Sequence, residues 1–239
     1  MNRTLVIPTI LAAVASPAVA ADIQLQAQGP VVELSVTETV KAKPDLATVS
    51  AGVTSQAPTA VAAMQANAAA MDAVVKRIKA LGIAGEDIQT EGVNLGAQYD
   101  YDQSERRQVF RGYQASNRVS VILRKVPDTG RVLDALVAAG ATDISGPMFS
   151  IDDDTGPRAQ ARKAALEKAR KQAEDYAKWA GYTGVRLLQV SESFNSGAPM
   201  PYAKMDMRAA ASPPVSPTPV EPGLVGTSVS VNVTYEMTR

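Results

Sequence analysis

Asp152-Asp153-Asp154 is the densest run of carboxylates in the chain, and hard oxygens gathered in this way suit calcium or magnesium. The run lacks the ligand spacing and the distal glutamate of a calcium loop. It also stands just before a helical pattern, where acidic groups cap free N–H groups and favour the positive end of the helix dipole. We read it as a helix start. Tyr99, Tyr101 and Tyr113 lie in alternating segments and offer either an aromatic binding surface or, the commoner use, cross-strand packing. Met200, Met205 and Met207, with Tyr202 between them, could bind Cu(I) through thioethers or absorb oxidant if the three sulfurs converge. Methionine is equally a filler of adaptable surfaces.

What the chain lacks restricts its chemistry further. Histidine and cysteine are both absent, so Ser-His-Asp and Cys-His nucleophilic sites, the common zinc sites, disulfides and a cysteine-linked lipid cannot be built. Carboxylates, Lys, Tyr and Ser-Lys pairs remain. A glycosidase-like mechanism needs two carboxylates with separated pKa values in a cleft, whereas the acidic residues here fall at helix ends, exposed faces and turns. We therefore expect no catalytic residue, no cofactor site and no metal site, and read the chain as not an enzyme. Its 24 basic and 24 acidic residues give no concentrated positive field, so neither nucleic acid nor an anionic membrane is a natural partner.

The elements that must position any site begin after a leader. Met1-Asn2-Arg3 supplies a basic start, Leu5 to Val14 an apolar run, and Ala18-Val19-Ala20 a small-x-small end. This is the pattern of a secretory signal peptide over 1–20, with cleavage before Ala21. Pro8 and Pro17 interrupt a run already too short to span a bilayer.

Residues 31–40 alternate, with Val32, Leu34 and Val36 on one side, and a second run places Ala47, Val49, Ala51 and Val53 together. With Lys43-Pro44 between them, the two read as a hairpin. Pro58-Thr59 opens a helix whose stripe is Val61, Met64, Ala68, Met71, Val74 or Val75, Ile78 and Leu81, and Gly82 stops it. Residues 90–101 put Val93, Leu95, Ala97, Tyr99 and Tyr101 on one face, and 108–124 return through Val119, Val121 and Leu123 as a long hairpin. A short helix from Pro127-Asp128 to Gly140 turns Val132, Leu133, Leu136 and Val137 inward. A strand from Ile144 to Ile151 bends at Gly146-Pro147.

The third helix, 157–180, repeats Ala161, Ala165, Ala169, Ala173 and Ala177, a thin face suited to lying against a sheet. Its outer side offers i,i+4 pairs at Glu167–Lys171, Arg170–Glu174, Lys171–Asp175 and Glu174–Lys178. A strand at 185–194 precedes a proline-rich stretch, 196–223, read as a flexible loop. Val225 to Met237 then alternates as a long final strand. Strands and helices mix without strict alternation. The expected class is α+β, antiparallel sheet covered by three helices, within a single domain over 21–239. An outer-membrane barrel would need an even series of alternating strands of about ten residues, which three helical segments and the ending Thr238-Arg239 do not suit.

In order and spacing, several short motifs resemble the SIMPL domain family, named for a signalling protein that associates with a pelle-like kinase. They are Pro44-Asp45-Leu46-Ala47, Leu81-Gly82-Ile83, Glu86-Asp87-Ile88-Gln89-Thr90, the strand containing Tyr99, Gly112-Tyr113-Gln114-Ala115-Ser116-Asn117, Val132-Leu133-Asp134, the helix from Arg162 to Ala180 and Pro222-Gly223. Glu38-Thr39 departs from the family pattern, where a glycine-rich turn usually follows the first strand. The resemblance covers essentially the whole mature chain. It implies an α+β fold, a periplasmic setting with association with the outer membrane in some members, ring-like or channel-like homo-oligomers, and a link to envelope or oxidative stress tolerance. It supplies no catalytic residues.

These readings combine into an exported, non-catalytic protein that binds and self-associates, with the 90–124 hairpin or the C-terminal strand making the contact and Val109 an exposed apolar position on it. The competing expectation is a monomeric binding module or chaperone-like adaptor for another envelope protein. A carboxylate-dependent hydrolase is the weakest fit.

Overall fold

A computed structural model describes residues 27–104, 106–193 and 217–239. The expected leader and the Met200, Met205 and Met207 group lie outside the described residues. The chain runs β1 (Val31–Ala42), β2 (Leu46–Ala57), α1 (Ala60–Ala80), β3 (Ile88–Asp102), β4 (Arg107–Leu123), α2 (Thr129–Ala138), β5 (Asp143–Ser150), α3 (Thr155–Trp179), β6 (Gly184–Ser193) and β7 (Val225–Thr238). The class is α+β, with all strand pairings antiparallel.

The strands form two sheets, ordered β1-β7-β6 and β3-β4-β2-β5. The expected β1–β2 hairpin is therefore not formed. Alternation had identified which residues share a face but carried no information on pairing. Pro44 lies where the chain leaves one sheet for the other, and β1 pairs with β7 along its whole length from Val31↔Glu236 to Ala42↔Val225. Glu38 and Thr39 sit mid-strand in this pairing, opposite Val229 and Ser228, and the Thr39 and Ser228 hydroxyls are 2.8 Å apart. No turn follows there.

Each sheet has its own core. Under α1 and α2, Ala47, Val49, Ala51 and Val53 of β2 meet Val119, Val121 and Leu123 of β4 and Met71, Val74, Ile78 and Leu136 of the helices. Full burial of each large aliphatic side chain stabilises by roughly 1.5–3 kcal/mol. Thr59 caps α1 by accepting from the Ala62 N–H at 3.2 Å, and Gly82, at φ +83°, ends it. The stripe of α1 is displaced in its first turns: Ala63 and Asn67 are buried where Val61 and Ala68 were expected, and Val61 is exposed. On α2, Val132 and Leu136 face inward with Ala135, while Val137 points to solvent.

Over the other sheet lies α3, whose alanines at four-residue spacing, Ala161, Ala165, Ala169, Ala173 and Ala177, are all fully buried. Their small size lets the helix approach Val36, Val229, Val231, Val233 and Tyr235. Of the expected outer-face pairs, Arg170–Glu174 closes at 2.9 Å, while Lys178 turns to Asp175 and Lys163 to Glu167, both at 3.9 Å.

The final strand β7 is the central strand of its sheet, paired on both sides. This removes it as a contact strand, because its ladder groups already have partners. Among the described residues, the sheet edges are β1, β6, β3 and β5.

Candidate functional site

The long hairpin is present as β3 and β4, and its distal half extends beyond the strands that pair it into the sheet. Pairing of β4 with β2 stops at Tyr113↔Ala57, whereas β3 and β4 stay paired to Asp102↔Arg107. Ladder partners share a face, so Val93 lies beside Asn117, Leu95 beside Ala115 and Ala97 beside Tyr113. The register then shifts: Gln98 pairs with Gly112 but Tyr99 with Phe110, leaving Arg111 as an extra residue. Such a bulge resets the alternation of one strand. It places Phe110 on the face that already carries Tyr113 and Tyr99.

The three rings stack edge to face, with Phe110 5.6 Å from Tyr99 and 5.4 Å from Tyr113 between centroids. Tyr99 is 56% and Phe110 46% exposed, and Val93, Leu95 and Tyr101 extend the same open face. The aromatic surface and the cross-strand packing expected as rivals are thus one arrangement. Val109 is half-buried, pairs with Asp100 and lies on the opposite face from Phe110, so it is not part of this surface. The sequence reading missed Phe110 because only the bulge, which strict alternation does not show, puts it there.

A second feature lies where α1, the end of β4 and the start of α2 meet. A cleft of about 340 Å³ has an apolar wall of Leu81, Ile83, Ile122 and Val132 and a rim that includes Lys125 and Arg131. A groove of about 460 Å³ along Pro44 and Val126 shares Arg124 and Lys125 with it. Arg124 donates through Nε and Nη2 to both oxygens of buried Asp87, at 3.1 and 3.0 Å, and through Nη1 to Asp152 at 2.9 Å. The Asp87 bonds, more than those to Asp152, raise the guanidinium pKa above its ordinary value. Both carboxylates are held by one cation, so the geometry ties loops together and does not set up an acid and base pair.

The three carboxylates of Asp152-Asp153-Asp154 diverge. Asp152 binds Arg124, Asp153 accepts from the Thr155 N–H at 3.0 Å and hydroxyl at 2.5 Å, and Asp154 holds Arg158 at 2.5 Å. The Thr155 hydroxyl bond, with the N–H bond, lowers the Asp153 pKa. Asp153 meets the first helical N–H, while Asp154, at the cap position itself, makes no side-chain cap bond. Among the described residues, no three carboxylates, histidines or cysteines converge to hold a metal ion.

A family model described as "SIMPL: Protein of unknown function (DUF541)" matches residues 32–235. The chain belongs to the SIMPL family. Among its SIMPL relatives is the 26 kDa periplasmic immunogenic protein of Brucella melitensis, 30% identical over 232 residues, covering 95% of this chain and 93% of the relative. The uncharacterized protein YggE of Escherichia coli K12 is 27% identical over 209 residues, 87% of this chain and 84% of that one. YggE of Edwardsiella ictaluri is 28% identical over 191 residues, 74% of each chain. None of these names carries an enzymatic activity. This SIMPL protein is periplasmic, and none of its described helices is long and apolar enough to cross a membrane.

Proposed function

We propose that the chain acts in the periplasm by binding and self-association rather than by catalysis, after export and removal of 1–20, with the β3–β4 arm making the contact between copies. The observation that carries this reading is the exposed pair Tyr99 and Phe110, packed on half-buried Tyr113 and extended by Val93, Leu95 and Tyr101, on a strand pair that leaves the sheet. Contiguous apolar patches beyond a few hundred Å² are rare on monomers and mark contact sites. A free strand edge beside such a face adds unpaired N–H and C=O groups that invite a partner. A closed ring, the form suggested by the family resemblance, satisfies every such edge without leaving open ends.

Light scattering on the mature chain tests the reading. The expected mass is that of several chains, and Phe110→Asp lowers it while the circular dichroism spectrum stays as it was. A mass of one chain over a wide concentration range overturns self-association and decides for a monomeric binding module or adaptor. The cleft beside Arg124 is the observation in favour of that second reading.

A further inference from the structure

We infer that the arm of one copy seats on an apolar shelf along β6 of the next copy, so that the contact joins two different surfaces of the chain. This rests on the self-association proposed above and names the surface that receives the arm. Leu187 and Val190 of β6 pair with Tyr235 and Val233 of β7, so all four face the side covered by α3. Yet Tyr235 and Val233 are 5% and 2% exposed while Leu187 and Val190 are 49% and 45% exposed. The helix packs on β1 and β7, anchored to β1 by Lys168–Glu38 at 2.5 Å. The covered core takes in Val185 at the start of β6, and the helix reaches the far end of that strand through Arg162–Glu192 at 2.7 Å. Among the described residues, this edge strand is thereby left with apolar side chains and main-chain groups that no strand pairs, on one shelf.

The arm is its counterpart in kind and length. Residues 93–102 of β3 form an edge run comparable to the 10 residues of β6, with Val93, Leu95, Tyr99 and Tyr101 on its apolar face. An aromatic side chain buries about 150–250 Å². Tyr99, Tyr101 and Phe110, between 46% and 63% exposed, therefore offer on the order of 300 Å², and Val93, Leu95 and the ladder groups bring the arm toward the roughly 800 Å² per partner of a stable interface. Strand pairing between the two edges would lay the arm's aromatic face beside Leu187 and Val190, satisfying in one contact the main-chain groups of both. The arm and shelf belong to different sheets of the same chain, so each copy offers one of each. Such a contact either closes reciprocally as a two-fold pair or repeats around a ring or along a filament.

Mixing separates the possibilities. Phe110→Asp spoils the arm and Val190→Asp the shelf, and each variant alone is expected to have the mass of one chain. Mixed in equal amounts, they are expected to give a species of two chains, because one intact arm meets one intact shelf. Wild-type chain that is itself monomeric overturns self-association altogether. Wild-type chain that assembles while Val190→Asp assembles equally, or variants that stay monomeric when mixed, overturn the shelf alone and leave arm-to-arm contact. The natural absence of cysteine provides a check that does not depend on tolerance of a charge. Leu95→Cys and Val190→Cys chains, mixed and oxidised, should cross-link to each other several-fold more than either cross-links to itself, and equal yields in all three samples count against the shelf.

Discussion

Phe110 and Tyr113 lie on the same face of β4, with ring centroids 5.4 Å apart, although an odd separation along a regular strand puts two residues on opposite faces. The extra residue, Arg111, accounts for it, and its guanidinium reaches back across the hairpin to Asp100 at 2.8 Å. Without the bulge, Phe110 would join the polar face and β4 would contribute only Tyr113 to the aromatic row. The surface proposed for assembly therefore depends on a backbone irregularity as much as on residue type.

Gly112 forms the other half of that irregularity. Its φ of +139° is a conformation side chains rarely adopt, and a Cβ there would lie 2.6 Å from the Ala57 carbonyl oxygen. Gly112→Ala is expected to destabilise the chain by about 1–3 kcal/mol, read as a lower urea midpoint at unchanged slope. An unaltered midpoint would mean that the end of β2 yields without cost.

Asn67 is a buried polar residue within α1. Its amide donates to the Val53 carbonyl at 2.9 Å and the Ala115 carbonyl at 3.1 Å, pinning the helix to two neighbouring strands. Asn67→Leu keeps the number and branching of side-chain heavy atoms and removes both bonds, and the expected loss is about 1–3 kcal/mol in urea denaturation. If stability is unchanged or rises, those carbonyls do not need the amide.

These residues also mark where the sequence was legible. The alanines of α3 were readable because a four-residue repeat of one small side chain has a single meaning against a sheet. Asn67 was not, since a polar residue beside Ala68 looks like the water side of the stripe until the two carbonyls above it are known. The long hairpin was readable because its turn is local. The partner of β1 was not, because Val31 and Glu236 meet only through a long return of the chain. The cleft was beyond reach for the same reason, with Asp87, Arg124 and Asp152 brought together from three separate segments.

Glu236 ties stability to pH. It is 4% exposed, accepts from the Gln28 and Gly29 N–H groups at 2.6 Å each, and takes two bonds from Arg186 at 3.0 and 2.5 Å. Arg186 holds its carboxyl below the ordinary glutamate range, the two N–H groups assist, and burial opposes. The folded state thus prefers the carboxylate. The resulting stabilisation is complete above the unfolded value of about 4.3 and is lost as pH falls from there through the lower folded value. Glu236→Gln should lower stability at pH 7 and flatten the fall in urea midpoint below about pH 5. Parallel acid limbs for the two proteins would remove Glu236 from the account.

The last prediction concerns cooperativity between the two cores. Thr218 donates its N–H and hydroxyl to the two oxygens of Asp134 on α2, at 3.1 and 2.6 Å. Gly130 on the same helix leaves room for the Thr218 carbonyl, which a Cβ would overlap. Thr218 leads directly into β7, the central strand of the other sheet, so this latch links the helix over one core to the strand at the middle of the second. We propose that 21–239 unfolds as one unit partly for this reason. Calorimetry on the mature chain should then give one transition whose calorimetric and van't Hoff enthalpies agree. Asp134→Ala removes both acceptors without disturbing either core, and it should broaden or split that transition while the circular dichroism spectrum at 25 °C is preserved. Two transitions already present in the wild-type chain would show that the cores unfold independently and that the latch joins them in space only.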